Sequence, residues 1–275
     1  VKDGKIIVAI EEERLRRIKH WAGFPSMAIE SCLKVANIDF RQIDYIAINR
    51  DEDAHRLDKL IFTIKNRPSL KNVVNRLKNR NKIDRISQIL SESYNVDEKI
   101  INKKIKNVEH HFSHLASTFL TSPFEKSAIL SVDGFGDFVS TMWGTGEKRD
   151  INVSDYILFP HSLGMLYQAI TQYLGFGNYG DEYKVMGMAA YGKPKYIDEF
   201  REIIKIIDKG KFELNIDYFK HSNEGVSMEF DNGPPEISDV YSNKLISLLG
   251  EKRSRTATIE QKHKDIASSL QYIYE

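Results

Sequence analysis

Apolar positions along this chain follow two different spacings, which together predict a mixed α/β fold. Residues 26–37 place four apolar side chains on one helical face, directly after Pro25, a favoured residue at a helix start. Residues 44–49 (DYIAIN) are instead a short apolar run, which is typical of a buried strand. Helical patterns return over residues 54–95, over YIDEFREIIKII and over the C-terminal TIEQKHKDIASSLQYIYE, and FELNIDYF indicates a further strand.

The opening segment, KDGKIIVAIEEE, predicts a tight turn at Asp3–Gly4 followed by a strand. The Asp-Gly pair accepts the positive φ angles that a hairpin turn needs. The partner of this strand is expected before Val1, and the chain starts without Met. We therefore expect the sequence to be a fragment of a longer protein.

The middle third of the chain predicts a helix followed by a β-hairpin. IKNVEHH is an extended run, and HLASTFLTSPF is a helix that ends before Pro123. Two strand patterns joined by a glycine-rich turn then follow in SAILSVDGFGDFVSTMWGTGE. In the next segment, PHSLG, Ser162 is predicted to cap the following helix, with His161 packing beside it.

Composition favours a globular protein and argues against a dedicated polyanion binder. The 275 residues are 41% hydrophobic and 29% charged, with a formal net charge of +1. Basic residues dominate residues 65–85 without interleaved aromatics, which favours a solvated helical face over nucleic-acid binding. Cys32 is expected to be a buried thiol in a helix, and neither a membrane span nor a signal peptide is recognisable, so a cytoplasmic location is predicted.

The hairpin loop holds the first candidate chemistry. It contains Asp133, Gly134, Gly136 and Asp137. Glycines there leave backbone N–H groups open for a phosphate, and the carboxylates can hold a metal ion or the water around it. A plain Asp-Gly turn that binds nothing is the alternative.

Three of the eight histidines stand together in VEHHFSHLAS. Residues four apart at a helix start lie one above the other, so His110 or His111 can converge with His114 on one ion. Asp133, at the end of the next strand, is placed to add an oxygen ligand. Two imidazoles and one carboxylate suit iron, zinc or manganese. Alternatively, one or two of these histidines only satisfy buried backbone groups.

Several long motifs resemble the amino-terminal domain of the O-carbamoyltransferases, which include nodulation carbamoyltransferases and aminoglycoside-antibiotic enzymes. They are VEHHFSHLASTFLTSPFEKSAILSVDGFGD, FPHSLGMLYQAITQYLGF, GDEYKVMGMAAYGKP and the opening VKDGKIIVAIEEERLRRIKHWAGFP. The resemblance implies an α/β domain of the actin, sugar-kinase and Hsp70 type, with a mixed sheet flanked by helices. It is similar to the universal tRNA threonylcarbamoyl-transfer protein.

On this resemblance, residues 1–275 are part of one such domain, without its first strand and second half and with a helical insertion at about 54–100. The family pattern places an H-x-x-x-H pair on His110 and His114, with Asp133 as a third ligand. It implies Fe²⁺, with Zn²⁺ or Mn²⁺ as alternatives and Mg²⁺ as a further candidate. A fourth ligand is expected from the second half, so these residues alone are expected to be inactive.

The implied reaction transfers a carbamoyl group from carbamoyl adenylate to a hydroxyl of a small-molecule acceptor. A YrdC-like domain, outside these residues, makes the adenylate from carbamoyl phosphate and ATP. Negative charge develops on the carbamoyl oxygen and on the leaving phosphate, so a metal, loop N–H groups and cations lower the barrier. Lys19 is our candidate cation, and the alternative is a solvated lysine in a basic run.

The segment GDEYKVMGMAAYGKP is predicted to contact the substrates, largely because of the resemblance. Its glycines let the backbone approach a ligand closely, and Lys184 is placed to meet a phosphate. Asp181 or Glu182 is the candidate for orienting an acceptor hydroxyl or acting as general base. Ordinary loop geometry is the alternative.

Two other functions remain open from the sequence. The first is a threonylcarbamoyl-transfer or hydrogenase-maturation relative, which uses the same carbamoyl adenylate with a different acceptor. The second is a non-catalytic module that binds a nucleotide or a metal and acts by association. Carbamoyl transfer to a hydroxyl acceptor separates both from the O-carbamoyltransferase hypothesis.

Overall fold

The computed structural model describes residues 1–66, 85–222, 228–229 and 233–275. These described residues divide into two compact units. The first contains residues 1–48 and 85–106 with the described part of 227–237, and the second contains the remaining described residues. The predicted mixed α/β class is confirmed. Assignment to the actin-like fold and the insertion at about 54–100 stay predictions, and most of the basic run 65–85 lies outside the described residues.

The helices and strands of the described residues follow in chain order. The α-helices are α1 (Glu12–Arg16), α2 (Ser26–Ala36), α3 (Arg56–Asn66), α4 (Ile86–Tyr94), α5 (Glu98–Lys104), α6 (His110–Phe119), α7 (Leu163–Tyr173), α8 (Glu182–Ala189), α9 (Ile197–Ile203), α10 (Asn243–Leu249) and α11 (Gln261–Tyr274). The strands are β1 (Ile46–Ile48), β2 (Ile105–Asn107), β3 (Lys126–Gly136), β4 (Val139–Glu147), β5 (Asp150–Leu158), β6 (Ile204–Ile206), β7 (Phe212–Leu214), β8 (Met228–Glu229) and β9 (Glu236–Ile237). No helix in these described ranges combines the length and the apolar composition needed to cross a bilayer.

The opening of the first unit confirms one prediction and corrects another. The turn at Asp3–Gly4 forms, and Lys2 and Lys5 exchange backbone hydrogen bonds across it. The strand predicted after it does not form, because residues 6–11 pair with no strand among the described residues. Ile6 and Ile7 consequently remain exposed.

Helix α2 begins and ends where the sequence predicts, but its cap comes from a distant residue. Glu12 accepts the backbone N–H of Ala28 at 2.6 Å and that of Met27 at 3.2 Å. These bonds satisfy two of the amides that a helix start leaves without partners. Cys32, predicted to be buried, is in fact partly exposed on this helix.

A small apolar core supports the first unit. Phe40, Leu90 and Ile101 are its buried members, and partly buried side chains pack around them. The rings of Phe40 and Tyr94 stack with centroids 4.2 Å apart. The predicted strand at DYIAIN is β1, which is hydrogen-bonded to β2.

The second unit is built on an antiparallel sheet of β3, β4 and β5, which confirms the predicted hairpin. Asp137 and Phe138 turn the chain between β3 and β4 with φ angles of 49° and 81°. Helix α6 packs on this sheet through the cluster Leu115, Phe119, Ile129, Val139 and Met142. The hairpin and α6 therefore share one core.

Helix α6 begins at His110 rather than at His114, which corrects the predicted extended run IKNVEHH. The Glu109 side chain caps the helix by accepting the N–H of Phe112. The earlier start adds one helical turn. It places His110 and His114 on the same helix, four residues apart.

Two further sequence predictions have mixed outcomes. Ser162 caps α7 as predicted, with its Oγ accepting the N–H of Met165 at 3.1 Å. His161 packs beside it and accepts the N–H of Leu214 at 3.0 Å. The helix predicted over YIDEFREIIKII ends at Ile203, and its β-branched tail forms β6, which pairs with β7.

Candidate metal centre

Three side chains of the second unit converge as potential metal ligands. The Nε2 atom of His110 lies 2.9 Å from Oδ2 of Asp133 and 3.1 Å from Nε2 of His114. The His114 Nε2 atom lies 3.6 Å from the same carboxylate oxygen. Among the described residues, this is the one group of histidine, cysteine and acidic side chains arranged to hold an ion.

The secondary structure explains this convergence. His110 and His114 occupy successive turns at the start of α6, so their rings point the same way. Asp133 follows the buried part of β3, on the strand against which α6 packs. The shared core of α6 and the hairpin therefore fixes where all three ligands point.

The spacing of these atoms fits a divalent transition metal. An ion bound at about 2.0–2.2 Å by nitrogen and oxygen ligands holds neighbouring ligand atoms about 3.0–3.5 Å apart. The observed separations of 2.9, 3.1 and 3.6 Å bracket that range. Two imidazoles and a carboxylate leave further coordination positions open. The donor set fits iron, zinc and manganese alike.

The electrostatics of the site keep Asp133 charged. The hydrogen bond from His110 lowers the pKa of the Asp133 carboxyl to about 2. The same bond raises the pKa of His110, against the opposing effect of burial. A divalent metal ion in place of the proton that His110 and Asp133 share would contact an anionic carboxylate oxygen and the lone pair of an imidazole nitrogen.

His111 does not converge with His114 and Asp133; of the two histidines that the sequence left open, His110 does. Its side chain is fully buried. Its Nε2–H donates to the carbonyl of Val139 at 3.0 Å, and its Nδ1 accepts from the Ser131 hydroxyl at 2.8 Å. Burial lowers its pKa to about 4, so it stays neutral. His111 therefore anchors α6 to the sheet.

Backbone groups orient His110. Its Nδ1–H faces the carbonyl of Asn49 at 3.3 Å, and a carbonyl only accepts, so this nitrogen carries the proton. The proton that Nε2 shares with Asp133 is the one that a metal ion would replace, which would leave the lone pair of the neutral ring on Nε2. Asp137 accepts the backbone N–H of His110 at 3.0 Å and that of Asp51 at 2.6 Å. Sequence reasoning missed Asn49 and Asp51, because only their backbone atoms take part.

Gly134 and Gly136, predicted in the hairpin loop, instead lie among the last residues of β3, and their surroundings differ. A Cβ atom on Gly134 would meet no described heavy atom within 4 Å. On Gly136 it would lie 2.0 Å from the ring of His110. Gly134 is thus the open position of the predicted phosphate loop, and Gly136 is packed against His110, a candidate metal ligand.

The predicted substrate segment contains a tight ion pair. Lys184 Nζ lies 2.6 Å from Oδ1 of Asp181, whose side chain is nearly buried. The other carboxylate oxygen of Asp181 accepts the N–H of Asn178 at 3.2 Å. The pair raises the pKa of Lys184, which keeps the lysine cationic.

Tyr179 precedes the Asp181–Lys184 ion pair in the sequence and is influenced by the charge of Asp133, a candidate metal ligand, and sequence reasoning missed it. Burial raises the pKa of its phenol, and the negative charges of Asp133 and Glu182 raise it further. The phenol therefore lies within electrostatic reach of both carboxylates. Its position between Gly177 and Gly180 in the sequence was the available signal. Lys19, by contrast, belongs to the first unit, in a turn after α1, and its assigned role stays a prediction.

Comparison with known proteins identifies the family. Residues 1–275 match the family described as carbamoyltransferase N-terminus. The chain is 34% identical over 296 residues to the uncharacterized protein sll1178 of Synechocystis sp., covering 100% of this chain and 44% of the relative. It is 32% identical over 279 residues to the nodulation protein NolNO of Sinorhizobium fredii, covering 100% and 36%. The nodulation protein NolO of Bradyrhizobium diazoefficiens is 31% identical over 171 residues, covering 61% and 26%.

The chain thus spans less than half the length of each of these relatives. The family match extends over both compact units and includes the converging histidines and aspartate. It confirms the resemblance carried by the sequence motifs. This chain belongs to the carbamoyltransferase family and corresponds to its amino-terminal region.

Proposed function

We propose that this chain is part of a metal-assisted O-carbamoyltransferase. The reaction moves a carbamoyl group from carbamoyl adenylate to a hydroxyl of a small-molecule acceptor. One observation carries the proposal: His110, His114 and Asp133 converge within a chain that matches the carbamoyltransferase N-terminus. Carbamoyl phosphate and ATP are the proposed sources of the adenylate, made by a YrdC-like domain.

The proposed ion is Fe²⁺, with Zn²⁺ or Mn²⁺ as alternatives on the same ligands. A two-histidine, one-carboxylate set that leaves positions open is typical of non-haem Fe²⁺ sites. Such an ion supplies positive charge where the carbamoyl oxygen and the phosphate become more negative. His110 would bind it through Nε2, because Asn49 holds the proton on the other ring nitrogen.

The hairpin loop is proposed to meet the nucleotide. Gly134 leaves space for a phosphate, since no described heavy atom lies within 4 Å of its absent Cβ position. Asp133 stays anionic, because its pKa is lowered to about 2. Asp133, Gly134, Gly136 and Asp137 together form the proposed nucleotide-binding segment. Mg²⁺ is a further candidate ion, bound beside the nucleotide phosphates.

Roles are proposed for residues 181–184 (DEYK) of the predicted substrate segment, starting from the ion pair between Asp181 and Lys184. Lys184 is held as a cation by Asp181, which suits contact with a phosphate or a carbamoyl oxygen. Asp181 in turn orients that cation. Glu182, whose charge is felt by Tyr179, is the proposed base for the acceptor hydroxyl. Lys19 is proposed as a second cation for the leaving phosphate.

The first test measures the metal bound by the full chain. Wild-type protein supplied with Fe²⁺ or Zn²⁺ should bind the ion weakly, whereas His114→Ala and Asp133→Asn should bind much less of it. His20→Ala, an exposed histidine of the first unit, is the control and should retain the metal. Equal metal in wild type and His114→Ala would overturn the site.

The catalytic part of the proposal needs its own assay. The full-length protein, with the proposed YrdC-like domain and second half of the carbamoyltransferase domain, is incubated with carbamoyl phosphate, ATP and a panel of hydroxyl acceptors, and AMP release and carbamoylated product are measured. Product formation supports the proposal. Nucleotide and metal binding without transfer to any acceptor would instead indicate a module that acts by association.

A further inference from the structure

We propose that Gly136 and Asp137 are positioning residues of the metal centre, which set the place and the ring orientation of His110. The inference rests on the metal site proposed above. It gives these two residues a task separate from phosphate contact. Three contacts of His110 support this role: the close approach of Gly136 to its ring, the hydrogen bond from its backbone N–H to Asp137 and the carbonyl of Asn49 at its Nδ1.

The first contact is the close approach of Gly136 to the His110 ring. A Cβ atom at residue 136 would lie 2.0 Å from Cγ and 2.1 Å from Cδ2 of the imidazole. Atoms that are not bonded to each other cannot approach so closely, so any side chain at position 136 must displace the ring. The ring carries a metal-binding nitrogen that lies 2.9 Å from Asp133. Glycine at 136 is therefore a condition for the ligand geometry.

The second contact is the pair of hydrogen bonds that the Asp137 carboxylate accepts. Its Oδ2 accepts the N–H of His110 at 3.0 Å and the N–H of Asp51 at 2.6 Å. One carboxylate oxygen thus ties the first residue of α6 to residue 51. Because helix starts carry amides without intrahelical partners, this bond also favours the helical start at His110.

The third contact follows from the second. Residue 49 lies two positions before the tethered residue 51, and its carbonyl receives Nδ1–H of His110 at 3.3 Å. The tether by Asp137 therefore holds in place the carbonyl that selects the tautomer of His110. Outer contacts of this kind fix the ring direction of metal-binding histidines and raise their affinity for the ion.

The test compares two neighbouring glycines. Gly136→Ala and Gly134→Ala add the same methyl group to the same hairpin, and neither glycine has a positive φ, so alanine strains neither backbone. Affinity for Zn²⁺ is measured on the full chain by competition with a chelator. Absorption of bound Co²⁺ reports the ligand geometry. Thermal unfolding shows whether each variant is folded.

We expect Gly136→Ala to weaken Zn²⁺ binding about 10- to 100-fold, the loss typical when an outer contact of a metal ligand is removed. Its Co²⁺ spectrum should change, because His110 is displaced. Gly134→Ala should keep the wild-type affinity and spectrum. A folded Gly136→Ala protein with wild-type affinity and spectrum would overturn the inference.

Asp137 is tested by two substitutions that tolerate its left-handed φ of 49°. Asp137→Gly removes the acceptor without backbone strain and should weaken Zn²⁺ binding about 10- to 100-fold. Asp137→Asn keeps an oxygen acceptor and should restore most of the affinity. Loss in the asparagine variant equal to that in the glycine variant would overturn the tether, since it would show that the charge matters rather than the hydrogen bonds.

The design separates this inference from the function on which it rests. Wild-type protein that binds neither Zn²⁺ nor Co²⁺ would refute the metal site itself. Wild-type protein that binds both ions, with Gly136→Ala and Asp137→Gly binding equally well, would refute only the positioning role.

Discussion

Ser162 offers a stability test in which a matched serine separates the effect of burial from that of helix capping. Its fully buried Oγ accepts the N–H of Met165 at 3.1 Å and donates toward two carbonyls, that of Gly134 at 2.7 Å and that of Asp133 at 3.1 Å. Ser242 likewise accepts an N–H and donates to a carbonyl at the partly exposed start of α10. It accepts from Lys244 at 3.2 Å and donates to the carbonyl of Asp217 at 2.6 Å.

The expected costs of replacing each serine with alanine differ because water reaches only one site. Loss of a helix N-cap costs about 1 kcal/mol, which is the value expected for Ser242→Ala. Because the Ser162 side chain is fully buried, the amide and carbonyl groups that it leaves without a partner are less hydrated than those at Ser242, which adds about 1–3 kcal/mol. We therefore expect Ser162→Ala to lower the free energy of unfolding by about 2–4 kcal/mol.

Urea unfolding of the full chain, followed by circular dichroism, measures both variants under the same conditions. Hydrogen exchange at the first amides of α7 and α10 shows whether each loss is local to its helix. If Ser162→Ala costs no more than Ser242→Ala, the carbonyl of Gly134 does not depend on the serine, and the reasoning about buried partners is refuted.

Three further predictions follow from the same structure. Leu115→Ala, which empties a fully buried core position, should cost about 2–5 kcal/mol in urea unfolding, and Leu120→Ala, at 55% exposed, less than about 0.5 kcal/mol. Burial lowers the pKa of His221, so as the pH falls the unfolded chain binds this proton before the folded protein does. The free energy of unfolding of the wild type should therefore fall more steeply below about pH 6.5 than that of His221→Gln, which urea unfolding at a series of pH values measures. Asp133→Asn should lower the pKa of His110, because the carboxylate that raises it is gone, and NMR titration of the metal-free protein would show no shift if the two do not interact.

Elements with local signals could be predicted from the sequence. Pro25 marked the start of α2, the Asp3–Gly4 pair marked one turn, and Ser162 marked the start of α7, whereas the Asp133–Gly134 pair lies on β3 before the turn at Asp137 and Phe138. Each signal acts within a few residues of the structure that it specifies. The start of α6 was misplaced because its cap is Glu109, a residue type outside the usual capping set.

Elements that depend on distant partners were not predictable. The tail of YIDEFREIIKII forms a strand only because Phe212–Leu214 pairs with it. The spacing of the histidines predicted a ligand pair but not which of His110 and His111 belongs to it. Adjacent helical residues point about 100° apart, so the answer depended on where the sheet lies. Ser131 and Val139 accommodate His111, and this leaves His110 for the carboxylate.

The buried hydrogen bonds of His111 have a consequence for how the proposed metal site would be filled. They lock α6 to the hairpin through Ser131 and Val139, and none of these residues is a candidate ligand. Folding of this region is therefore expected to proceed without a cation, in contrast to small zinc domains that are unfolded without one. A fold completed in this way would be able to take up or exchange the proposed ion, so the supply of metals in its surroundings would decide which ion it binds.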